Sequence, residues 1–290
     1  MPASVQIISH GTRLALPRID SGPLSMFIGG GRSAGLRIEG PAAGIWLPLR
    51  GRLQIGVGDG ESTHARFEAR ATCADAFTQV TGRGHALWLA IVGTPSAWRE
   101  ALATGSARDC GLLPATHQVG RALLRRALSL ARAVQRGDDA VALYGMLDEI
   151  GAMQNRFDEM IARCPGRTWA QRRHVFLRLQ RVREHLACNY HLDLDNAALA
   201  RIASYSPWHF IRAFHAAYGE TPHAFLVRQR LLRAQRLLRT SPLAIGEIAL
   251  ACGFENRCAF SRLFHQRFGT TASALRRSGL AAPALRTNAC

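Results

Sequence analysis

Apolar residues alternate along the first hundred positions of the chain. Ile45, Leu47 and Leu49 keep a period of two, and Leu53, Ile55 and Val57 resume it. The Gly-Asp-Gly-Glu stretch at 58–61 then reads as a turn, and Ala86 to Val92 is a continuous apolar run fit for a buried strand. Short strands divided by glycine turns predict a sandwich or barrel over residues 1–116.

From about residue 117 the period becomes helical. Val119, Leu123, Ala127, Leu130 and Val134 form one stripe, and Leu143, Leu147, Ile150, Met153, Phe157 and Ile161 form another. Arg136-Gly137-Asp138-Asp139 separates them, and Cys164-Pro165-Gly166 ends the second. This predicts an αα-hairpin over 117–165, which either packs on its own barrel or pairs with a second subunit. Residues 170–280 read as helical almost throughout, and 281–290 read as a flexible tail.

The helical part repeats itself. Sliding 194–226 over 244–276, an offset of 50, aligns Phe210, Arg212, Phe214, His215, Gly219, Thr221 and Ala224 with identical residues. A fixed F-x-R-x-F-H spacing met twice marks one supersecondary unit used twice. Each copy reads as a short helix, a turn and a longer helix. In the first copy Asp193 is the expected N-cap, with Leu199 and Ile202 facing inward. Ser206 caps the longer helix and Pro207 suits its first turn. In the second, Gly253-Phe254-Glu255 turns the chain and Asn256 caps. A short helix, tight turn and longer helix describe the DNA-binding helix-turn-helix. Its outward positions are Trp208, His209, Ile211 and Arg212 in copy one, and Arg257, Cys258, Ser261 and Arg262 in copy two. Between the copies His223 to Arg239 reads as one rod, whose Arg228, Arg230, Arg233, Arg236 and Arg239 are placed to meet phosphates.

Charge agrees with this reading. All 37 basic residues are Arg. Residues 1–170 hold 19 Arg against 14 acids, whereas 171–290 hold 18 Arg against 6. So basic a half calls for a polyanion, either nucleic acid or an anionic membrane. Arg also forks onto phosphates and guanine edges. The seven cysteines form no C-x-x-C, so neither a zinc ribbon nor a disulfide framework is indicated; they read as reduced thiols, mostly core filler. No apolar run reaches membrane length and no signal pattern opens the chain, which predicts a cytoplasmic protein without membrane contact.

Residues 180–278 resemble the DNA-binding domain of AraC/XylS-type transcriptional regulators. The resemblance rests on LARIASYSPWHFIRAFHAAYGETPHAFL, on R-L-x-x-A-x-x-L-L beginning at Arg230, and on IGEIALACGFENRCAFSRLFHQRFGTT. Two departures stand out: Ala272 replaces the usual Pro, and Leu275 the usual aromatic, after the second motif. The resemblance implies an α+β protein with an N-terminal cupin-like β-barrel, a helical hairpin and an all-α C-terminal domain with two helix-turn-helix motifs. It further implies a regulator whose partners are double-stranded DNA, a small-molecule effector, RNA polymerase and a second copy of the chain. The expected DNA-reading residues are Ser206, Trp208, His209, Ile211, Arg212, Arg230, Asn256, Arg257, Cys258, Ser261 and Arg262. Trp46, Trp88 and Phe67 are candidates for lining an effector pocket, though core packing explains them equally well.

Other readings find less support. A cupin-type metal enzyme needs paired histidines, and His10, His64, His85 and His117 have no H-x-H spacing. Gly29-Gly30-Gly31 sits in no phosphate loop. A repair adaptor needs clustered zinc-bound cysteines, and Cys73, Cys110 and Cys164 lie far apart. No catalytic residue, metal or cofactor is expected. A constitutive DNA binder that senses nothing is the remaining alternative.

Overall fold

A computed structural model of the chain describes residues 5–58, 60–74, 77–103, 111–134 and 140–280. The predicted turn at 136–139 and the tail at 281–290 lie outside the described residues. The chain divides into two compact units, Met1–Gln180 and Arg181–Cys290.

The first unit is built on one nine-stranded sheet. Its strands are β1 (Val5–Ile8), β2 (Arg13–Leu16), β3 (Ser25–Gly31), β4 (Gly35–Glu39), β5 (Ala42–Val57), β6 (Gly60–Ala65), β7 (Glu68–Ala74), β8 (Phe77–Gly93) and β9 (Ala115–Gln118). The main path runs β1-β3-β8-β5-β7-β9, with β4 and β2 joined along β8 and β6 along β5. The path is open: β1 and β9 are its ends, so the pairing does not close the expected barrel.

The long strands bury both faces, which accounts for the continuous apolar run in β8. Leu89 and Ile91 join one core, and Trp88, Ala90 and Val92 the other. In β5 the faces exchange parity. Ile45, Leu47 and Leu49 lie in the first core with Trp46 opposite, yet Leu53 and Ile55 lie in the second core with Trp46. Register shifts between Pro48 and Arg52, with Gly51 at a left-handed φ of 74°, cause the change. One bulge residue sends every later side chain to the other face. Among the described residues the second core draws only on strands and the segments joining them, so the sheet curls around it.

The first core is closed by helices. α1 (Pro95–Leu102), α2 (Arg121–Val134) and α3 (Ala140–Arg163) supply Trp98, Leu123, Ala127, Leu130, Met146, Leu147 and Ile150 to it. The hairpin therefore spends its apolar stripe on the chain's own sheet, and burying each such Leu contributes about 1.5–3 kcal/mol. The hairpin starts later than expected. His117 belongs to β9 rather than to a helix and is 1% exposed. Gln154 of α3 holds this segment by bonding both the N–H (3.1 Å) and the C=O (3.3 Å) of Leu113.

His64 of β6 is buried, and desolvation, aided by the Arg70 charge, lowers its pKa to about 4. Glu68 lies 3.8 Å from its Nδ1, but that carboxylate accepts the Ala65 N–H and does little to hold a proton on the ring. His64 is thus a neutral residue of the sheet at pH 7.

The second unit is helical. The division falls within α4 (Trp169–Cys188), after which come α5 (Asn196–Ile202), α6 (Pro207–Tyr218), α7 (Pro222–Thr240), α8 (Ile245–Ala251), α9 (Arg257–Phe268) and α10 (Ala272–Leu280). The predicted rod is α7, entered through Thr221, whose hydroxyl accepts the Ala224 N–H at 3.2 Å. Among the described residues no helix is long and apolar enough to cross a membrane, and no group of three His, Cys, Asp or Glu could hold a metal ion.

Candidate nucleic-acid interface

The repeat folds as two motifs of the same helix order, α5–α6 and α8–α9. The longer helices, Pro207–Tyr218 and Arg257–Phe268, keep the offset of 50. The shorter helices and their exits are offset by 49. Tyr205 N–H donates to Ala200 C=O just as Phe254 N–H donates to Ala249 C=O, each at 2.9 Å. The residue before each is left-handed: Ser204 at φ 53° and Gly253 at φ 84°. The second turn therefore carries one additional residue before its cap.

Both motifs are held by the aromatic positions the spacing marks. Phe210 and Phe214 are fully buried with ring centres 5.7 Å apart, and Phe260 and Phe264 repeat this at 5.4 Å. Both longer helices end on a left-handed glycine, Gly219 or Gly269, whose N–H returns to the carbonyl of His215 or His265. Here glycine avoids the strain a Cβ would bring at positive φ.

The entries differ. Asn256 caps α9 with its side-chain oxygen, accepting the N–H groups of Cys258 (2.8 Å) and Ala259 (3.2 Å). Ser206 occupies the cap position of α6 but caps nothing; its hydroxyl bonds His209 Nδ1 at 2.7 Å. Asn256→Ala should therefore lower stability by about 0.5–2 kcal/mol. Ser206→Ala should cost clearly less, with both read as shifts in the urea midpoint at constant slope. Equal losses would show that capping does not separate the two positions. Two expectations for α5 are corrected. Asp195, not Asp193, is its cap, bonding the Ala197 N–H at 3.2 Å. Ile202 is 38% exposed while Leu199 is buried, because the helix is only two turns long and ends at Ile202.

Each longer helix shows one open face. Trp208, His209 and Arg212 are exposed on α6, with Ile211 half-buried beside them. Trp208 is 60% exposed, and the Arg212 guanidinium stacks 4.3 Å from its ring. On α9 the exposed residues are Arg257, Cys258, Ser261 and Arg262. Helical spacing adds His215 and His265, both exposed and each three residues past the matched arginine. Sequence reasoning passed over them as site residues, although the F-x-R-x-F-H identity carried the signal.

The rod arginines divide into two groups. Arg233, Arg236 and Arg239 are exposed. Arg228 instead forks onto Glu220 at 2.6 and 3.2 Å. Arg230, expected on the DNA, points its Nε to the Tyr190 carbonyl (2.7 Å) and its Nη2 to that of Leu192 (2.8 Å). Burial lowers its pKa, with the charges of Asp193 and Glu255 opposing.

The candidate effector residues are not brought together. Trp46 and Trp88 are buried in the strand core, whereas Phe67 sits exposed at the β6–β7 turn with Arg66 stacked on its ring. None of the three lines the sheet's cavity of about 320 Å³, which is bounded by Arg13, Gln54, Glu61, Gln79, Thr81 and Arg83 among others. Of the described cysteines Cys164 and Cys252 are buried as expected, while Cys73, Cys188 and Cys258 are exposed.

Comparison with known proteins defines the class first. A helix-turn-helix domain family matches residues 199–278. The chain is 45% identical over 85 residues to the HTH-type transcriptional regulator GlxA of Rhizobium meliloti, covering 29% of this chain and 26% of that protein. It is 35% identical over 81 residues to the probable transcription factor PqrA of Proteus vulgaris, covering 28% of this chain and 66% of that one. Among solved structures, the DNA-binding domain of AdpA in complex with a target DNA matches at 34% identity and a TM-score of 0.34, over 35% of this chain and 91% of that chain. The chain thus spans about a quarter of the first relative's length and two-thirds or less of the second's. Residues 199–278 are a helix-turn-helix domain of the AraC type.

Proposed function

We propose that this chain is a transcriptional regulator that reads double-stranded DNA with both helix-turn-helix motifs. The observation that carries the reading is the duplicated scaffold. Two longer helices, positioned by the same buried phenylalanines, each present an exposed arginine at the matched place, Arg212 and Arg262. The 19-residue α7 joins the motifs. At about 1.5 Å per residue it spans close to 28 Å, comparable with the ~34 Å between successive major grooves on one face of a duplex. Arg212 and Arg262 would meet base edges. Asn256, through its cap, would aim Arg257, Cys258 and Ser261, while Trp208, His209 and Ile211 offer an apolar and hydrogen-bonding surface to the groove.

The N-terminal unit is read as a sensory domain, cupin-like in its glycine-turned strands, that takes a small-molecule effector. The DNA-bound protein would act with RNA polymerase, as a homodimer in the cytoplasm, without catalysis.

Enrichment from a random duplex library by the full-length protein tests the central claim. A defined sequence should emerge, and its affinity should fall about 10³-fold between 50 and 200 mM salt if six phosphates are contacted. A flat salt profile, or no enriched sequence, would remove the DNA reading. Native mass spectrometry of the purified protein would reveal a retained effector.

A further inference from the structure

Arg230 sits near the middle of α7, where three parts of the domain converge. Its Nε and Nη2 donate to the Tyr190 and Leu192 carbonyls, in the segment that leads from α4 into the first motif. Its guanidinium also meets the turn of the second motif. A Cβ built on Gly253 would lie 3.0 Å from Arg230 Cζ, 3.0 Å from its Nε and 3.0 Å from the His191 carbonyl, and the Phe254 ring centre is 6.0 Å away. Gly253 is left-handed as well, so the turn can approach the guanidinium this closely only without a side chain. Toward the N-terminal end of α7, Phe225 packs on Phe214 of the first motif; toward the other end, Leu231, Ala234 and Leu238 share a core with α8 and α9.

We infer that Arg230 is a positioning residue for DNA reading, the pin that fixes the two recognition helices at one separation. This rests on the function proposed above. A planar fork can hold two carbonyls and a packed turn at once, whereas a lysine ammonium cannot reproduce that geometry. Without the pin each motif keeps its fold and base preference, but the separation between the two is no longer single-valued. Two linked reading heads lose their mutual advantage when geometry forbids simultaneous engagement.

The test uses the full chain and a random duplex library long enough for two half-sites one helical turn apart. The wild type should enrich two sequence blocks at one separation. Arg230→Ala and Arg230→Lys should enrich the same blocks at several separations. Both should bind the wild-type duplex about tenfold or more weakly, with the slope of log affinity against log salt unchanged. Enrichment at the single wild-type separation by Arg230→Lys would overturn the inference. So would a salt slope smaller by about one in Arg230→Ala, the mark of a direct phosphate contact. Should Arg230→Ala lose helical circular dichroism, Arg230→Lys decides alone. No enriched block with the wild type would instead overturn the DNA reading itself, and this inference with it.

Discussion

Alanine at both Arg212 and Arg262 lowers affinity for the enriched duplex by about 2–6 kcal/mol, each alone giving about 1–3. The two side chains lie on different helices with no shared partner among the described residues, so their effects should add. On the proposed reading each substitution removes a bidentate donor at a base edge, which should also relax the preference at one position of the site. Titration by gel shift at fixed salt measures the first effect, and repeating it on single-base variants measures the second. If both single variants bind like the wild type, the open faces of α6 and α9 are not the reading surfaces. Arg212 carries an additional requirement. Its guanidinium rests on Trp208 at 4.3 Å, so Trp208→Ala should weaken binding through Arg212 as well as through its own contact.

Phe264→Ala costs about 3–5 kcal/mol in the stability of the second unit, because the emptied space is lined by residues fixed on three other helices. Phe264 is fully buried and packs with tilted rings against Phe260 (5.4 Å) and Phe268 (4.6 Å), in a core shared with α7, α8 and α10. Urea unfolding followed by far-ultraviolet circular dichroism, with amide exchange to locate the loss, gives the number. Leu250, 67% exposed on α8, supplies the contrast, since its replacement by Ala should stay within about 0.5 kcal/mol. A small loss at Phe264 would mean that the core repacks around the gap.

The C-terminal unit was largely legible because its information is local. Phenylalanines four apart, a glycine after the last turn and a cap before the first are all written in consecutive residues, and α7 differs from its predicted span by one residue at each end. The errors lay where a choice between neighbours depends on geometry. Asp193 and Asp195 are both good caps, and only the start of α5 decides. The offset of 50 hid a one-residue difference in the turns, because the left-handed turn residue is a glycine, Gly253, in the second copy alone, and Ser204 in the first carries no such mark in the sequence. The first unit was less legible for a related reason. Its strands were visible, but alternation in β5 resumed after Gly51 on the opposite face, and no periodicity reports a bulge. His117 looked like a helix start and is a sheet edge, since its partner strand β7 lies more than 40 residues away. Arg230 was read among the rod arginines that meet DNA; that it faces carbonyls is a tertiary fact.

The repeat has one scaffold but two unlike surfaces. Where α6 offers Trp208 and His209, α9 offers Cys258 and Ala259 at the positions offset by 50. Two alike readers on a twofold axis would call for a palindrome. These two, joined head to tail in one chain, call for a site with a polarity: one half cannot be exchanged for the other, and inverting the sequence turns the whole molecule around on the duplex. On the proposed reading, a single chain would carry an arrow, and whatever lies at the N-terminal side of the domain would always be delivered to the same flank of the site.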